Sequence, residues 1–287
     1  MNPPKTKITF YAERSFAEKI NVTLHFIKEN WKILLKYTTY VILPLCLLQA
    51  VFVFLLMNGI DLQTRAAYGI VFFVNQGLAI LCGIIGNVLF ISLIYTLMAK
   101  YNECEECLAS FAFAGLKQSL LKGAKRILLA FLFCLVVVSL AVLLLIALAV
   151  VTPFSMFLTI PLFLACMIPL FLLIPVYMFE TTNIFQAFVK AFRLSLATWW
   201  GVFIVSFLGA ITVCLFNIIF SIPWIVTTVV KHIFFLSDIQ SGMTIPAGYN
   251  LIQYLFTVIM LFGTYLSGVF ISVGLAYQYA HARKKNT

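Results

Sequence analysis

The chain has 287 residues, of which 63% are hydrophobic, 16% aromatic and 10% charged, with a net charge of +10. Soluble domains run about 45–50% apolar and about 25% charged, so a water-soluble enzyme, a secreted disulfide scaffold and a nucleic-acid binder are excluded. Uncharged runs of 24, 34, 53, 37 and 44 residues (37–60, 66–99, 127–179, 194–230 and 239–282) each exceed the roughly 20 residues that cross a bilayer as a helix, and they lack the ~10-residue alternation of an outer-membrane barrel.

The N-terminal segment is charged. Ser15-Phe16-Ala17-Glu18 is a capping box, and it opens a stripe of Phe16, Ile20, Leu24, Ile27 and Trp31 at steps of four, four, three and four. That period predicts an amphipathic helix lying in the membrane interface. A first span follows near 36–57; a charged stretch of roughly 32 residues precedes it and no A-x-A site follows, so it is expected to act as an uncleaved first helix. The second span, near 77–99, carries Ala79, Gly83 and Asn87 at steps of four, which reads as a seam for close helix packing.

Cys104-Glu105-Glu106-Cys107 has the spacing of half a zinc site or a redox pair. No second Cys or His pair stands at matching spacing, so the reading is a reduced cytoplasmic loop, with zinc shared between two copies as the alternative. Leu108, Ala112, Leu116 and Leu120, with Lys117, Lys122, Lys125 and Arg126, form a weaker second amphipathic stretch. Thr152-Pro153-Phe154 breaks the 53-residue run into spans near 127–151 and 157–179. Pro161, Pro169 and Pro175 predict that the fourth span is kinked or broken, its freed carbonyls satisfied by neighbours.

Glu180 follows at the cytoplasmic end of that span, within a few turns of Lys190 and Arg193, and an interfacial ion pair is expected there. After a Thr181-Thr182-Asn183 cap, Phe185, Phe188, Phe192, Leu196 and Trp199 repeat the stripe, with Lys190 and Arg193 towards water and headgroups. Spans near 199–226 and 250–279 complete a set of six. The last carries Gly268, Ser272, Ala276 and Ala280 at strict steps of four, a second packing seam.

With the N-terminus in the cytoplasm, 17 Lys and Arg fall on that side and only Arg65 and Lys231 on the other. This positive-inside bias, with an even span count, predicts both termini cytoplasmic in a bacterial inner membrane. The positive charge then reads as topology and as attraction to anionic headgroups, for which Trp31, Lys117, Lys122, Lys125, Arg126, Lys190, Arg193 and Trp199 are candidates. Each amphipathic stretch precedes a pair of spans. One all-α membrane domain over 1–287 is therefore expected, parsed either as a threefold repeat of helix plus hairpin (1–100, 101–179, 180–287) or as the ordinary result of basic stretches preceding spans.

Ser15-Phe16 through Asn30-Trp31-Lys32 to Leu43-Pro44-Leu45, together with Phe179-Glu180-x3-Ile184-Phe185-Gln186-Ala187-Phe188-x2-Ala191-Phe192-Arg193-Leu194-Ser195, resembles the bacterial membrane-domain family first named from glycerophosphoryl diester phosphodiesterases. The resemblance implies a helix of Glu-x(n)-Ala-x3-Ser type ahead of a transmembrane hairpin. It does not carry the enzymatic name, because the chain has no room for the phosphodiesterase barrel and lacks its acidic and histidine sites.

Neither H-E-x-x-H, a G-x-S-G serine nor Glu-Glu-x3-Arg occurs; Ser110 stands where the last would need arginine, and His25, His232 and His281 are isolated. No catalytic residue, metal ligand or cofactor is assigned. Span cores lack charges, and Gln49, Asn75, Gln76, Asn87, Asn217, Gln253 and Gln278 either bond between helices or line a polar path. The expectation is a non-enzymatic scaffold, accessory protein or complex subunit, its partners membrane lipids with a protein or a second copy. The alternative is a carrier for a lipid or other poorly charged solute. Convergence of those polar groups on one cavity would distinguish the carrier.

Overall fold

The computed structural model describes residues 8–59, 69–103, 113–151, 156–241 and 247–286. Of these, 94% are helical and none lies in a strand. In chain order the elements are α1 (Phe16–Gly59), α2 (Ile70–Glu103), α3 (Phe113–Val151), α4 (Met156–Met167), a 3-10 turn (Ile168–Leu172), α5 (Leu173–Phe179), α6 (Ile184–Ala197), α7 (Trp199–Ser241) and α8 (Ala247–Lys285). Six helical stretches are long and apolar enough to cross a membrane: Phe16–Met57, Ile70–Glu103, Gly115–Val150, Phe157–Phe179, Trp199–Lys231 and Gly248–Lys285. The chain is a multi-pass membrane protein with the expected number of spans.

The expected capping box starts α1. The Ser15 amide donates to Glu18 Oε2 at 2.7 Å, and the Glu18 amide donates to Ser15 Oγ at 3.4 Å. The helix then continues without interruption into the first span, because Trp31-Lys32-Ile33-Leu34-Leu35-Lys36 contains no glycine, proline or cap that would end it. At about 1.5 Å per residue, its 44 residues are far longer than a hydrocarbon core requires. Of the middle stretch, Leu116 and Leu120 lie on α3, continuous with its span, while Leu108 and Ala112 lie outside the described residues. Only the third, α6, is a separate helix; Thr198 stands outside helical geometry (φ −129°, ψ 34°) between α6 and α7. Asn183 takes the N-cap position of α6, but its side chain makes no capping bond.

The fourth span breaks where Pro169 predicts. Pro169 has no amide to give the carbonyl of Ala165 four residues earlier, and the indole Nε1 of Trp199 donates to that carbonyl instead, at 3.3 Å. The 3-10 turn also withdraws the Leu173 amide, which bonds Leu170. The carbonyl of Pro169 receives Ser195 Oγ at 3.2 Å. The carbonyls of Ala165 and Pro169 are therefore occupied by α7 and α6.

The chain folds as two compact units that cut across the three stretches parsed from the sequence. One comprises 1–33, 91–210 and 270–287; the other comprises 34–90 and 211–269. The first has an aromatic core, in which Phe26 meets Tyr101 edge-on at 5.1 Å and Phe179 stacks on Tyr279 at 5.9 Å. The second is tied by polar groups on backbone carbonyls. Gln49 Nε2 donates to Ala79, and the hydroxyls of Tyr254 and Tyr265 donate to Leu47 and Gly83.

Candidate functional site

Which face of each amphipathic helix meets the protein decides what the other face is free to do. In the amphipathic first half of α1 (16–33) the buried residues are Lys19, Thr23, Phe26 and Asn30, whereas Leu24 and Trp31 of the apolar stripe are each 51% exposed. Thr23 and Asn30 satisfy themselves on the carbonyls of Lys19 and Phe26, four residues back. In α6 the buried face consists of Ala187, Ala191, Leu194 and Ser195. Phe185 and Leu196 are exposed, and Phe133 of α3 touches both Phe185 and Phe188 at 5.3 Å. Small and polar residues, with Phe26 and Leu194, thus take the protein side, while Leu24, Trp31, Phe185 and Leu196 of the two stripes stay exposed.

The link between α5 and α6 is built on charge. Extended geometry at Glu180 ends α5, and Arg126 of α3 holds the link by donating to the carbonyls of Glu180 at 2.6 Å and Thr182 at 3.5 Å. Its guanidinium lies over the Tyr177 ring, 4.3 Å from the centroid. The buried carboxylate of Glu180 meets Lys190 Nζ at 2.7 Å and accepts from the Tyr279 hydroxyl at 2.7 Å, with Arg283 3.9 Å away. Arg283 in turn donates to the hydroxyls of Tyr11 at 3.0 Å and Tyr279 at 3.3 Å. Burial by itself would raise the carboxyl's pKa, but hydrogen bonds from Lys190 and Tyr279 and the charges of Lys190 and Arg283 hold it below its ordinary value.

Beside this network lies a cavity of about 640 Å³ lined by Phe185, Gln186, Val189, Lys190, Arg193, Leu194, Arg283 and Asn286. It joins three cations and two carboxamides to an apolar wall. Glu180 neutralises one cation through the 2.7 Å pair with Lys190, which leaves the described lining of the cavity net positive beside an apolar wall.

The other sequence candidates divide by their partners. Lys117, Lys122 and Lys125 are exposed along α3, while Arg126 is committed to the α5–α6 link and Trp199 to the carbonyl of Ala165. Trp31 faces outward, as an interfacial tryptophan does. A side chain at Gly83 would come within 3.1 Å of Gln49 Nε2, and one at Gly268 within 3.1 Å of Phe90, so both mark close approaches. Ser272, Ala276 and Ala280 are buried. Tyr11, Tyr279 and Arg283 are absent from the sequence candidates; contacts spanning 99 and 272 residues leave no local pattern.

Five of the seven polar span residues are each engaged with a different partner. Gln49 binds the carbonyl of Ala79, Asn87 that of Gly83, Asn217 the Ser267 hydroxyl, Gln253 the Lys231 ammonium, and Gln278 the Thr198 hydroxyl. Among the described residues no group of three His, Cys, Asp or Glu is placed to hold a metal; Cys104 and Cys107 lie outside them. No family model, curated protein or solved structure matches the chain.

Proposed function

We propose that this is a non-enzymatic protein of a bacterial plasma membrane, with both termini cytoplasmic, serving as a scaffold or complex subunit that binds anionic lipid headgroups. The observation that carries this reading is the cavity that Lys190 and Arg193 of α6 share with Arg283 of α8, beside the exposed Phe185 and Val189. Basic pockets of this composition suit lipid phosphates. Lys117, Lys122 and Lys125 add a second basic, exposed row. The resemblance to the membrane-domain family, and the threefold parsing in which α6 is the best-separated interfacial helix, belong to the same proposal.

The carrier reading receives less support. A path needs polar groups that converge, and Gln49, Asn87, Asn217, Gln253 and Gln278 are each engaged with a different partner. Purification in a gentle detergent followed by native mass spectrometry tests the proposal. The wild type is expected to retain anionic lipid, alone or with a stoichiometric protein partner, and K190Q/R193Q to lose most of it. Equal retention by both proteins would overturn the headgroup reading.

A further inference from the structure

Resting on the headgroup reading, we infer that the cavity beside α6 and the end of α8 selects a phosphomonoester dianion over a phosphodiester. Lys190, Arg193 and Arg283 supply three positive charges. The Glu180 carboxylate, 2.7 Å from Lys190 and 3.9 Å from Arg283, supplies one negative charge. Among these described groups two positive charges are in excess. A phosphodiester headgroup brings one negative charge and leaves the other cation uncompensated; a phosphomonoester carries close to two at neutral pH and closes the balance.

The donors match the same chemistry. Arginine forks bind phosphate oxygens bidentately, and the Gln186 and Asn286 carboxamides add neutral hydrogen-bonding groups around the cations. Phe185, 70% exposed, and Val189, 65% exposed, place apolar surface at the cavity where the glycerol and first methylenes of a lipid would emerge. A small headgroup whose phosphate is terminal brings its oxygens to these cations without an esterified alcohol standing in between. Two sources offer this group: a lipid with a terminal phosphate, or a soluble phosphate or phosphate monoester. The apolar wall favours the lipid.

The test uses the full chain in nanodiscs of neutral lipid doped with equal amounts of phosphatidic acid and phosphatidylglycerol of the same acyl chains, with native mass spectrometry reading the retained lipid. Phosphatidic acid is expected to be enriched about tenfold, since neutralising one further charge in a partly desolvated site is worth roughly that factor. R193Q should bring the two lipids to parity, because Arg193 is exposed and its loss removes one of the two excess charges. E180Q, measured as a second variant, should raise retention of both lipids. Equal retention by the wild type overturns the monoester selection while leaving the headgroup reading in place; retention of neither overturns both. Displacement of bound phosphatidic acid by inorganic phosphate or glycerol phosphate at comparable concentration supports the monoester chemistry and moves its source to a soluble ligand.

Discussion

Glu180 is an acid kept charged while buried, and its partners set the terms. Lys190 and Tyr279 each reach a carboxylate oxygen at 2.7 Å, and Arg126 holds the backbone carbonyl of the same residue at 2.6 Å. Because the folded-state pKa lies below the ordinary value near 4.3, the stabilisation is complete above that value and is lost as pH falls through the lower folded-state pKa. The melting temperature in detergent should therefore be flat near neutrality and fall on strong acidification. E180Q should melt lower at pH 7 and show a shallower acid limb than the wild type; superimposable acid limbs would show that Glu180 does not carry this pH dependence. Tyr279→Phe removes the hydrogen bond to the charged Glu180 acceptor and the hydroxyl that accepts from Arg283; loss of the first alone should cost about 1.5–3 kcal/mol, read as a lower melting temperature at pH 7.

Among the elements, the broken fourth span offers a sharper test because its repair is visible. Trp199 donates to the carbonyl that Pro169 leaves open, so Trp199→Phe should destabilise the wild type by about 0.6–2 kcal/mol, the range of interhelical hydrogen bonds in membranes. In a Pro169→Ala background the alanine amide becomes available to the Ala165 carbonyl, and the same tryptophan change should cost less. Equal costs in the two backgrounds, measured as a double-mutant cycle, would show that the indole bond does not compensate the proline. The capping box is a simpler case: Ser15→Ala should cost about 1 kcal/mol and speed amide exchange in the first turn of α1. Both the break and the box are legible in the sequence, because a proline and an S-x-x-E motif act on neighbours within four residues. The buried faces are not. The period of Phe16, Ile20, Leu24, Ile27 and Trp31 fixes an apolar stripe without saying whether protein or lipid covers it, and the protein takes Lys19, Thr23, Phe26 and Asn30 instead. The sequence reading laid the 16–31 stripe in the interface ahead of a separate span, and the structure runs the two together as one helix, because nothing at 31–36 breaks it. The Tyr11–Arg283–Tyr279–Glu180 network was not, since its members are brought together only by tertiary packing.

For the molecule as a whole the decisive quantity is orientation, which the distribution of charge argues and reporters can read. Of 19 Lys and Arg, only Arg65 and Lys231 fall in segments assigned to the outer side. Lys231 is the one of these whose surroundings are described: its ammonium lies 3.1 Å from Gln253 Oε1 and 3.3 Å from Asn250 Oδ1, over the Phe54 ring. Two neutral side chains thus accept from that cation. At the ends assigned to the cytoplasm, by contrast, the basic groups include the exposed Lys117, Lys122 and Lys125, which gain from anionic headgroups only if they face that leaflet. Alkaline phosphatase fused after residue 63 or 245 is therefore expected to be active, and after 105, 182 or 285 inactive, with green fluorescent protein giving the reverse pattern. Activity of a phosphatase fusion at 182 would put the cavity lined by Lys190, Arg193 and Arg283 on the outer face. The lysine row and the cavity would then no longer have the leaflet on which their common headgroup function depends.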